Sequence, residues 1–283
     1  MVYNFVIQES NIKLLVEWTK KRYRGAFKDV NVAEVKYDGS RTDGELGQRS
    51  FKDSELEVLF RSKEMLSYCK SSKLVYKFWL PVIGLYTGAR VGEICQLNPF
   101  TDIMEDDNVW YFLISQDTES APDIDKSVKS GTSRVIPIHS RLIELGLFGY
   151  TDALKKAGHK RMFPLDKPRD RAAGGNTSRN FTRYIVDMGL KDKTKNKRIV
   201  GMHAFRKTII TKAYRERFVK GLLPIVGHED DVRDETGKLL PDVSSDYIDQ
   251  DAMKVPLHEK QETIEKVVFD IDFYKPVKPT FKE

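Results

Sequence analysis

Cysteine is nearly absent from this sequence, since its 283 residues contain only Cys69 and Cys95. Both lie in segments with a helical apolar pattern, which predicts two buried thiols in a reducing compartment rather than a disulfide framework. The sequence also has no run of about 18 apolar residues, the length that a membrane helix needs, and its first residues do not resemble a signal peptide. We therefore expect a cytoplasmic protein with no membrane partner.

The sequence also lacks the usual motifs of metal- or nucleotide-dependent phosphoryl transfer. It contains no Walker A loop and no acidic cluster of the kind that holds Mg²⁺. We therefore expect no cofactor and no metal. Any chemistry on a phosphate would need its positive charge from the protein's own side chains.

The composition is that of a globular protein with a modest basic excess. Hydrophobic residues make up 40% of the chain, and 48 Lys and Arg stand against 42 Asp and Glu, which gives a net charge of +6. A chain of this length forms one or two domains with a full core. The charge is compatible with a polyanionic partner but does not require one.

Apolar periodicity predicts a mostly helical α+β protein with a small sheet in its middle. Residues 1–35 are expected to contribute one helix, at 10–27, and the Gly-rich, charged residues 36–50 to form a linker before a domain at 51–283. In that domain the pattern predicts strands at 108–115 and 133–139. It predicts a first helix that starts at Asp53 or Ser54, and further helices at 73–87, 140–157, 176–189, 203–218 and 258–270.

An arginine lies at a sharp corner in "LYTGARVGEICQL". Gly88 is suited to end the preceding apolar helix, and a new helix starts near Arg90. A cation at a helix start opposes the helix dipole, but a bound phosphate would satisfy both the arginine and the free N–H groups there. Glu93, one turn later, is placed to hold the guanidinium. Taken alone, the stretch favours an ordinary surface pair of Arg90 and Glu93.

Further candidates lie at the edges of other apolar segments. In "GMHAFRKTIITKAY", His203 and Arg206 are three residues apart and share a helix face. His228 follows an apolar run that ends at Gly227, and Lys129 lies on the turn before a strand. Each signal is weak by itself, but together these side chains suit the neutralisation of a phosphodiester and the delivery of a proton to its leaving oxygen.

The order of these motifs resembles the catalytic domain of the tyrosine recombinases, the phage-integrase family. The resemblance covers roughly residues 50–250 and rests on "FWLPVIGLYTGARVGEICQL", "KSGTSRVIPIHSRLIELGL", "HAFRKTIITKAY" and "IVGHE", which occur in this order. It implies a helical catalytic domain with a small antiparallel sheet, preceded at 1–35 by the last helix of a core-binding domain. It also implies a bacterial or phage origin.

The resemblance further implies a metal-independent site-specific recombinase that cleaves and rejoins double-stranded DNA through a 3′-phosphotyrosine. The protein would be a monomer when free and a homo-tetramer on two DNA sites, with helix 258–270 packing onto a neighbouring protomer. The residues that match the family's catalytic set, with Glu93 in support, are Arg90, Lys129, His203, Arg206, His228 and the nucleophile Tyr247.

The spacing of the tyrosine departs from the family pattern. Tyr247 follows His228 by 19 residues, from 247 − 228, and the family's gap is usually shorter. Tyr274 is the second candidate nucleophile, while Tyr214 is expected to be a core residue of its helix.

Three other functions remain open at the level of sequence. A type IB topoisomerase shares the chemistry but relaxes supercoils without strand exchange. A non-catalytic DNA-binding regulator would not form a covalent adduct with DNA. A basic helical interaction module would leave the candidate cations far apart in space.

Overall fold

A computed structural model describes residues 48–117, 124–128, 133–165, 173–190, 199, 201–227 and 255–281. The chain divides into two compact units, Met1–Leu46 and Gly47–Glu283, and all described residues belong to the second. The predicted helix at 10–27 and nearly all of the predicted linker lie outside the described residues. The domain boundaries at 35 and 50 therefore stay predictions.

The described part of the chain is mostly helical, with one small sheet, as the sequence predicts. Its helices are α1 (Asp53–Phe60), α2 (Lys63–Lys70), α3 (Tyr76–Thr87), α4 (Val91–Cys95), α5 (Ser140–Glu144), α6 (Leu147–Lys156), α7 (Gly175–Asp187), α8 (His203–Arg215), α9 (Val219–Val226) and α10 (Leu257–Glu265). Its strands are β1 (Ile103–Asp106), β2 (Val109–Ile114) and β3 (Arg134–Pro137). None of the described helices combines the length and apolar character that crossing a membrane requires.

The sheet is antiparallel, with the strand order β1-β2-β3. The two predicted strands are present as β2 and β3, and Ile114 pairs with Arg134 at their shared end. β1 was not predicted, because its sequence "IMED" has no strand-like alternation. It forms because Asp107 and Asn108 both adopt positive φ, of 48° and 62°, in a two-residue turn that folds β1 back onto β2.

α3 lies at the centre of the core. Every residue from Phe78 to Thr87 is buried, which explains why its sequence is apolar on all sides rather than on one. α8 packs against α3, and α9 packs against both α8 and α10. Cys69 and Cys95 are buried and are not joined in a disulfide, which confirms the prediction of two buried thiols.

The corner after α3 requires a glycine at position 88. Gly88 has a φ of +61°, in the left-handed region that disfavours other residues. A Cβ at this position would lie 2.8 Å from Ile209 Cγ2 on α8 and 2.9 Å from Val226 Cγ1 on α9. The glycine therefore allows the corner to approach both helices closely, and it sets where Arg90 begins α4.

The C-terminal residues pack against the body of their own chain. α10 ends at Glu265, earlier than the predicted 270, and residues 266–281 continue without helix or strand. Their burial alternates, with Val267, Phe269, Ile271 and Phe273 pointing inward. The backbone then reaches α2, where Val277 N–H donates to the Cys69 carbonyl. The period-two burial explains why a helix was the wrong prediction for 266–270.

The predicted helices 140–157 and 203–218 are also shorter in the structure. The predicted helix 140–157 is divided into α5 and α6, because Gly146 adopts a φ of +98° between them. The predicted helix 203–218 ends at Arg215, and Arg217, at a φ of +65°, reverses the chain into α9.

Candidate active site

Arg90 occupies the N-cap of α4, at the corner predicted from the sequence. α4 has only five residues, so the dipole at its start is weak and contributes little to the binding of an anion. The Arg90 side chain is 26% exposed, which leaves the guanidinium accessible from solvent. Its position is set mainly by contacts with Glu93.

Glu93 is buried and is bound by two arginines. Its Oε1 accepts from Arg90 Nη1 at 3.0 Å, and its Oε2 accepts from the Arg90 backbone N–H at 2.8 Å. Arg134, at the start of β3, approaches the same carboxylate with Nη1 3.1 Å from Oε1 and Nη2 2.7 Å from Oε2. The carboxylate therefore joins α4 to the sheet through charge-assisted hydrogen bonds, which are the strong kind.

Arg206 points into the protein from the first turns of α8. Its Nη1 donates to the carbonyl of Gly88 at 3.0 Å and also to the carbonyl of Val226. Its Nη2 is buried and has no hydrogen-bond partner among the described residues. A buried guanidinium donor without a partner is costly, so this nitrogen is available to an anion that enters beside it.

The side chains of Arg90, Glu93, Arg134 and Arg206 form an arginine cluster, and their charges act on one another. Burial would raise the pKa of Glu93, but the hydrogen bond and charge of Arg134, followed by those of Arg90, hold that pKa below its usual range. Burial lowers the pKa of Arg206 to about 10, and the charges of Arg90 and Arg134 lower it too, while Glu93 opposes them. Three cations against one carboxylate give the cluster a net charge that favours a bound anion.

The end of α9 provides acceptors for the same cluster. Arg134 Nε donates to the Ile225 carbonyl at 3.1 Å, and Arg206 donates to the next carbonyl, that of Val226. Cations satisfy the free carbonyls at a helix C-terminus well. Gly227 then ends α9 at a φ of +78°, and a Cβ there would lie 3.1 Å from Arg134 Cζ.

The structure places some of the sequence candidates and leaves others outside its described part. Arg90, Glu93 and Arg206 belong to one cluster, as set out above. His203 is the first residue of α8 and is exposed, whereas Arg206, one turn later, is buried. Lys129, His228 and Tyr247 lie outside the described residues, so their placement stays a prediction.

The segment just before Lys129 is firmly bound to the body. Lys126 is buried, and its Nζ lies 2.7 Å from Asp102 Oδ2. The Ser127 N–H donates to Gln96 Oε1 at 3.0 Å, and Gln96 in turn donates to the Ser115 carbonyl. Because the Lys126 ammonium is already paired with the Asp102 carboxylate, it is not available to bind a substrate.

Two tyrosines considered from the sequence have other surroundings. The Tyr274 hydroxyl donates to the Arg61 carbonyl at 2.9 Å, and the Arg61 guanidinium lies 4.5 Å from its ring centre. Tyr214 is 73% exposed, so its prediction as a core residue was wrong. It lies on the solvent side of α8, opposite the face that carries Phe205 and Ile209.

Sequence reasoning missed Arg134. A signal was present in "SRVIPIH": side chains two apart on a strand share a face, so Arg134 lies on the same face as Ile136. Ile136 is fully buried. An arginine on the buried face of an apolar strand needs a charged partner, which here is Glu93.

Comparisons with known proteins connect this geometry to a fold. No family model matches the sequence, and no curated protein sequence is similar to it. Among solved structures, a lambda integrase dimer bound to a COC′ core site is 18% identical, with a TM-score of 0.53 over 79% of this chain and 71% of that chain. The XerH site-specific recombinase in a post-cleavage complex with palindromic difH is 17% identical, with a TM-score of 0.52 over 78% of this chain.

The fold is that of the tyrosine recombinases. A second lambda integrase dimer on a COC′ core site gives a TM-score of 0.50 at 17% identity over 88% of this chain. The tyrosine recombinase fold expected from the motif order is thus confirmed, including its small antiparallel sheet. The chain spans 59% of the length of the XerH chain and 59% of that lambda integrase chain.

Within the tyrosine recombinase fold, the described residues contain no group of three or more His, Cys, Asp or Glu side chains that could hold a metal ion. The charged centre of the described part is the arginine cluster, defined here as Arg90, Glu93, Arg134 and Arg206. The chemistry that such a cluster supports is the binding of an oxyanion.

Proposed function

We propose that this chain is the catalytic part of a site-specific recombinase that cleaves and rejoins double-stranded DNA through a 3′-phosphotyrosine intermediate. The observation that carries the proposal is the buried Arg206 Nη2, which has no partner in the described part of the chain and lies in a cluster with the accessible Arg90. The structural neighbours with this fold include recombinases in complexes with their DNA sites.

Arg90 and Arg206 would bind the non-bridging oxygens of the scissile phosphate. Charge on these oxygens grows as the phosphorus becomes five-coordinate, so fixed cations stabilise the transition state more than the ground state. Glu93 holds Arg90, and two backbone carbonyls hold Arg206, so neither guanidinium needs to reorganise during the reaction.

The remaining roles come from the family resemblance. Tyr247 attacks the phosphorus and becomes bonded to the 3′ phosphate, while the 5′ oxygen leaves and takes a proton from Lys129. His203 and His228 donate hydrogen bonds to the phosphate, and His203 accepts the phenol proton. A 5′ hydroxyl from a second strand then attacks the phosphotyrosine and gives its proton to Lys129, while the departing tyrosine oxygen takes its proton back from His203. The number of phosphoester bonds is unchanged, so no external energy source is needed.

The proposed partners are double-stranded DNA and, at the stage of strand exchange, three further copies of the chain on two DNA sites. The net charge of +6 is compatible with a polyanionic partner. Free protein is expected to be monomeric.

The test is incubation with a nicked suicide substrate that carries the target site, followed by denaturing gel electrophoresis. We expect a covalent protein–DNA adduct that also forms in the presence of EDTA. Tyr247→Phe should abolish the adduct and preserve DNA binding, because the nucleophile is lost and the binding cations remain. Tyr274→Phe, the matched control, should retain it.

Other outcomes identify the alternatives. An adduct that survives Tyr247→Phe and disappears with Tyr274→Phe would assign the nucleophile to Tyr274. Binding without any adduct would mean a non-catalytic DNA-binding protein. Relaxation of a supercoiled plasmid without recombination between two sites would mean a topoisomerase.

A further inference from the structure

Arg134 is a buried arginine for which the proposed reaction has no direct use. It starts β3, and its side chain is only 2% exposed. A residue so enclosed does not reach DNA. Its guanidinium instead binds three acceptors of the protein: both oxygens of Glu93 and the Ile225 carbonyl at the end of α9.

Through Glu93, Arg134 is connected to Arg90. Each oxygen of the Glu93 carboxylate receives one hydrogen bond from Arg90 and one from Arg134. The carboxylate cannot rotate about its axis without breaking bonds to both arginines. The orientation of the Arg90 guanidinium therefore depends on how firmly Arg134 holds Glu93.

Arg134 also lies against the end of α9. A Cβ on Gly227 would come within 3.2 Å of its Nη1 and 3.1 Å of its Nε and Cζ, so the guanidinium rests directly on the Gly227 backbone. The adjacent Val226 carbonyl receives Arg206. One side chain thus contacts the support of Arg90 and the helix end that holds Arg206.

We propose that Arg134 is a positioning residue that fixes Arg90, through Glu93, relative to the helix end that holds Arg206. The inference rests on the proposed function, since it concerns the geometry of the same phosphate site. The forked guanidinium is essential to this role. A lysine ammonium is a point donor and cannot hold a carboxylate bidentately while also reaching a carbonyl on another element.

The competing explanation is a purely structural ion pair. Loss of one partner from a buried pair is destabilising in either case, so stability alone does not separate the two. Removing Arg134 should change the protonation of Glu93 in either case, which tests the contact itself. Only the positioning role predicts that it also lowers the cleavage rate in a way that depends on Glu93.

The first measurement uses the free protein and needs no activity. The Glu93 carboxyl carbon is followed by NMR during a pH titration, with its signal assigned by its loss in Glu93→Gln. In wild type, Arg134 and Arg90 contact this carboxylate, and Arg206 acts on it at longer range. Arg134→Gln should raise the pKa of Glu93, because burial is then opposed by fewer positive charges. An unchanged titration would overturn the proposal.

The second measurement is the single-turnover rate of adduct formation on the nicked substrate, compared with DNA affinity. Arg134→Gln should slow cleavage about 10²-fold, the effect of a misplacement of the order of 1 Å, while the affinity for DNA changes little. As the pH is lowered, the cleavage rate of Arg134→Gln should begin to fall at a higher pH than the rate of wild type does. The reason is that Glu93 is protonated at a higher pH in this variant, and a protonated Glu93 releases Arg90. When Glu93 is already replaced in Glu93→Gln, the addition of Arg134→Gln should slow cleavage little further. Arg141→Gln, which removes the solvent-exposed pair with Glu144, is the control and should cleave at the wild-type rate.

Each outcome decides one point. A folded Arg134→Gln variant that cleaves at the wild-type rate, or losses that multiply in the double variant, would refute positioning through Glu93. Should Arg134→Gln not fold, Arg134→Lys takes its place, with the same two measurements and an intermediate loss expected. Failure of wild type to form any adduct would refute the proposed function alone, because the Glu93 titration still tests the hold of Arg134 on the carboxylate.

Discussion

At the scale of single residues, His139 illustrates how burial fixes a protonation state. It follows β3 and is 6% exposed. Its Nδ1 accepts from the Arg141 N–H at 2.9 Å. That contact leaves the proton on Nε2, which donates to the Val267 carbonyl at 2.9 Å. A second proton would have to be placed on Nδ1, against the Arg141 N–H.

This arrangement predicts a loss of stability in mild acid. Burial lowers the pKa of His139, opposed by the charges of Glu265 and Glu144 and the hydrogen bond to Val267, while Arg141 acts with burial. The unfolded chain therefore binds a proton at a higher pH than the folded chain, and the free energy of unfolding decreases as the pH falls below the ordinary histidine pKa of about 6.5.

We expect the melting temperature to fall as the pH is lowered from about 7.5 to about 5.5, and to fall less steeply in His139→Gln. The glutamine amide can still donate a hydrogen bond to the Val267 carbonyl, so the substitution mainly removes the titrating imidazole. Thermal unfolding followed by circular dichroism measures both slopes. His258→Gln, the same substitution at an exposed histidine, is the matched control. Equal slopes in wild type and His139→Gln would show that this imidazole does not carry the effect.

At the scale of elements, the corner between α3 and α4 depends on the absence of a side chain at Gly88. Gly88→Ala combines two costs: about 1–2 kcal/mol for a left-handed backbone and about 1–3 kcal/mol for overpacking against Ile209 and Val226. Gly158→Ala should carry only the backbone cost, because Gly158 has a φ of +72° and a Cβ there would meet no atom within 4 Å. Comparison of the two variants therefore separates the backbone cost from the packing cost.

Gly88→Ala should therefore lower the free energy of unfolding by more than Gly158→Ala does. Urea denaturation of both variants measures the difference, which reports the packing contribution of the corner. Equal losses in the two variants would mean that the corner yields to the added methyl group, and that only its backbone conformation requires glycine.

At the scale of the whole molecule, the C-terminal segment closes the core of its own chain. Phe273 packs edge-on against Phe60, with ring centres 5.0 Å apart, and lies 6.1 Å from Tyr86. α10 packs on β3 and α9 of the same chain. The family resemblance also implies that helix 258–270 packs onto a neighbouring protomer, and that packing stays a prediction.

Phe273→Ala should destabilise the free protein by about 3–5 kcal/mol, the usual cost of removing a buried phenyl ring. The melting temperature should not depend on protein concentration, because the contact lies within one chain. The control Val277→Ala removes a side chain that is 40% exposed, so it should change the free energy of unfolding little. A melting temperature that rises with protein concentration would indicate that the segment packs onto another copy.

The sequence by itself determined the local elements and the order of the charged motifs. α1, α3, β2, β3 and the glycine cap at 88 follow from periodicity and from the conformational freedom of glycine, which are properties of neighbouring residues. The motifs carrying Arg90 and Arg206 were recognisable for the same reason, and their short spacing to Glu93 and His203 could be read along a single helix.

Only the tertiary structure decided the features that depend on partners distant in the chain. β1 is a strand because β2 lies beside it, and residues 266–273 are extended because alternate side chains enter a core formed by other elements. The buried face of β3 predicts that Arg134 needs a charged partner, but Arg134 and Glu93 are 41 residues apart, so nothing local identifies that partner as the carboxylate that holds Arg90. Burial and ion pairing are settled by what the rest of the chain brings to a position, and for that reason the residue that supports Arg90 became visible only in the fold.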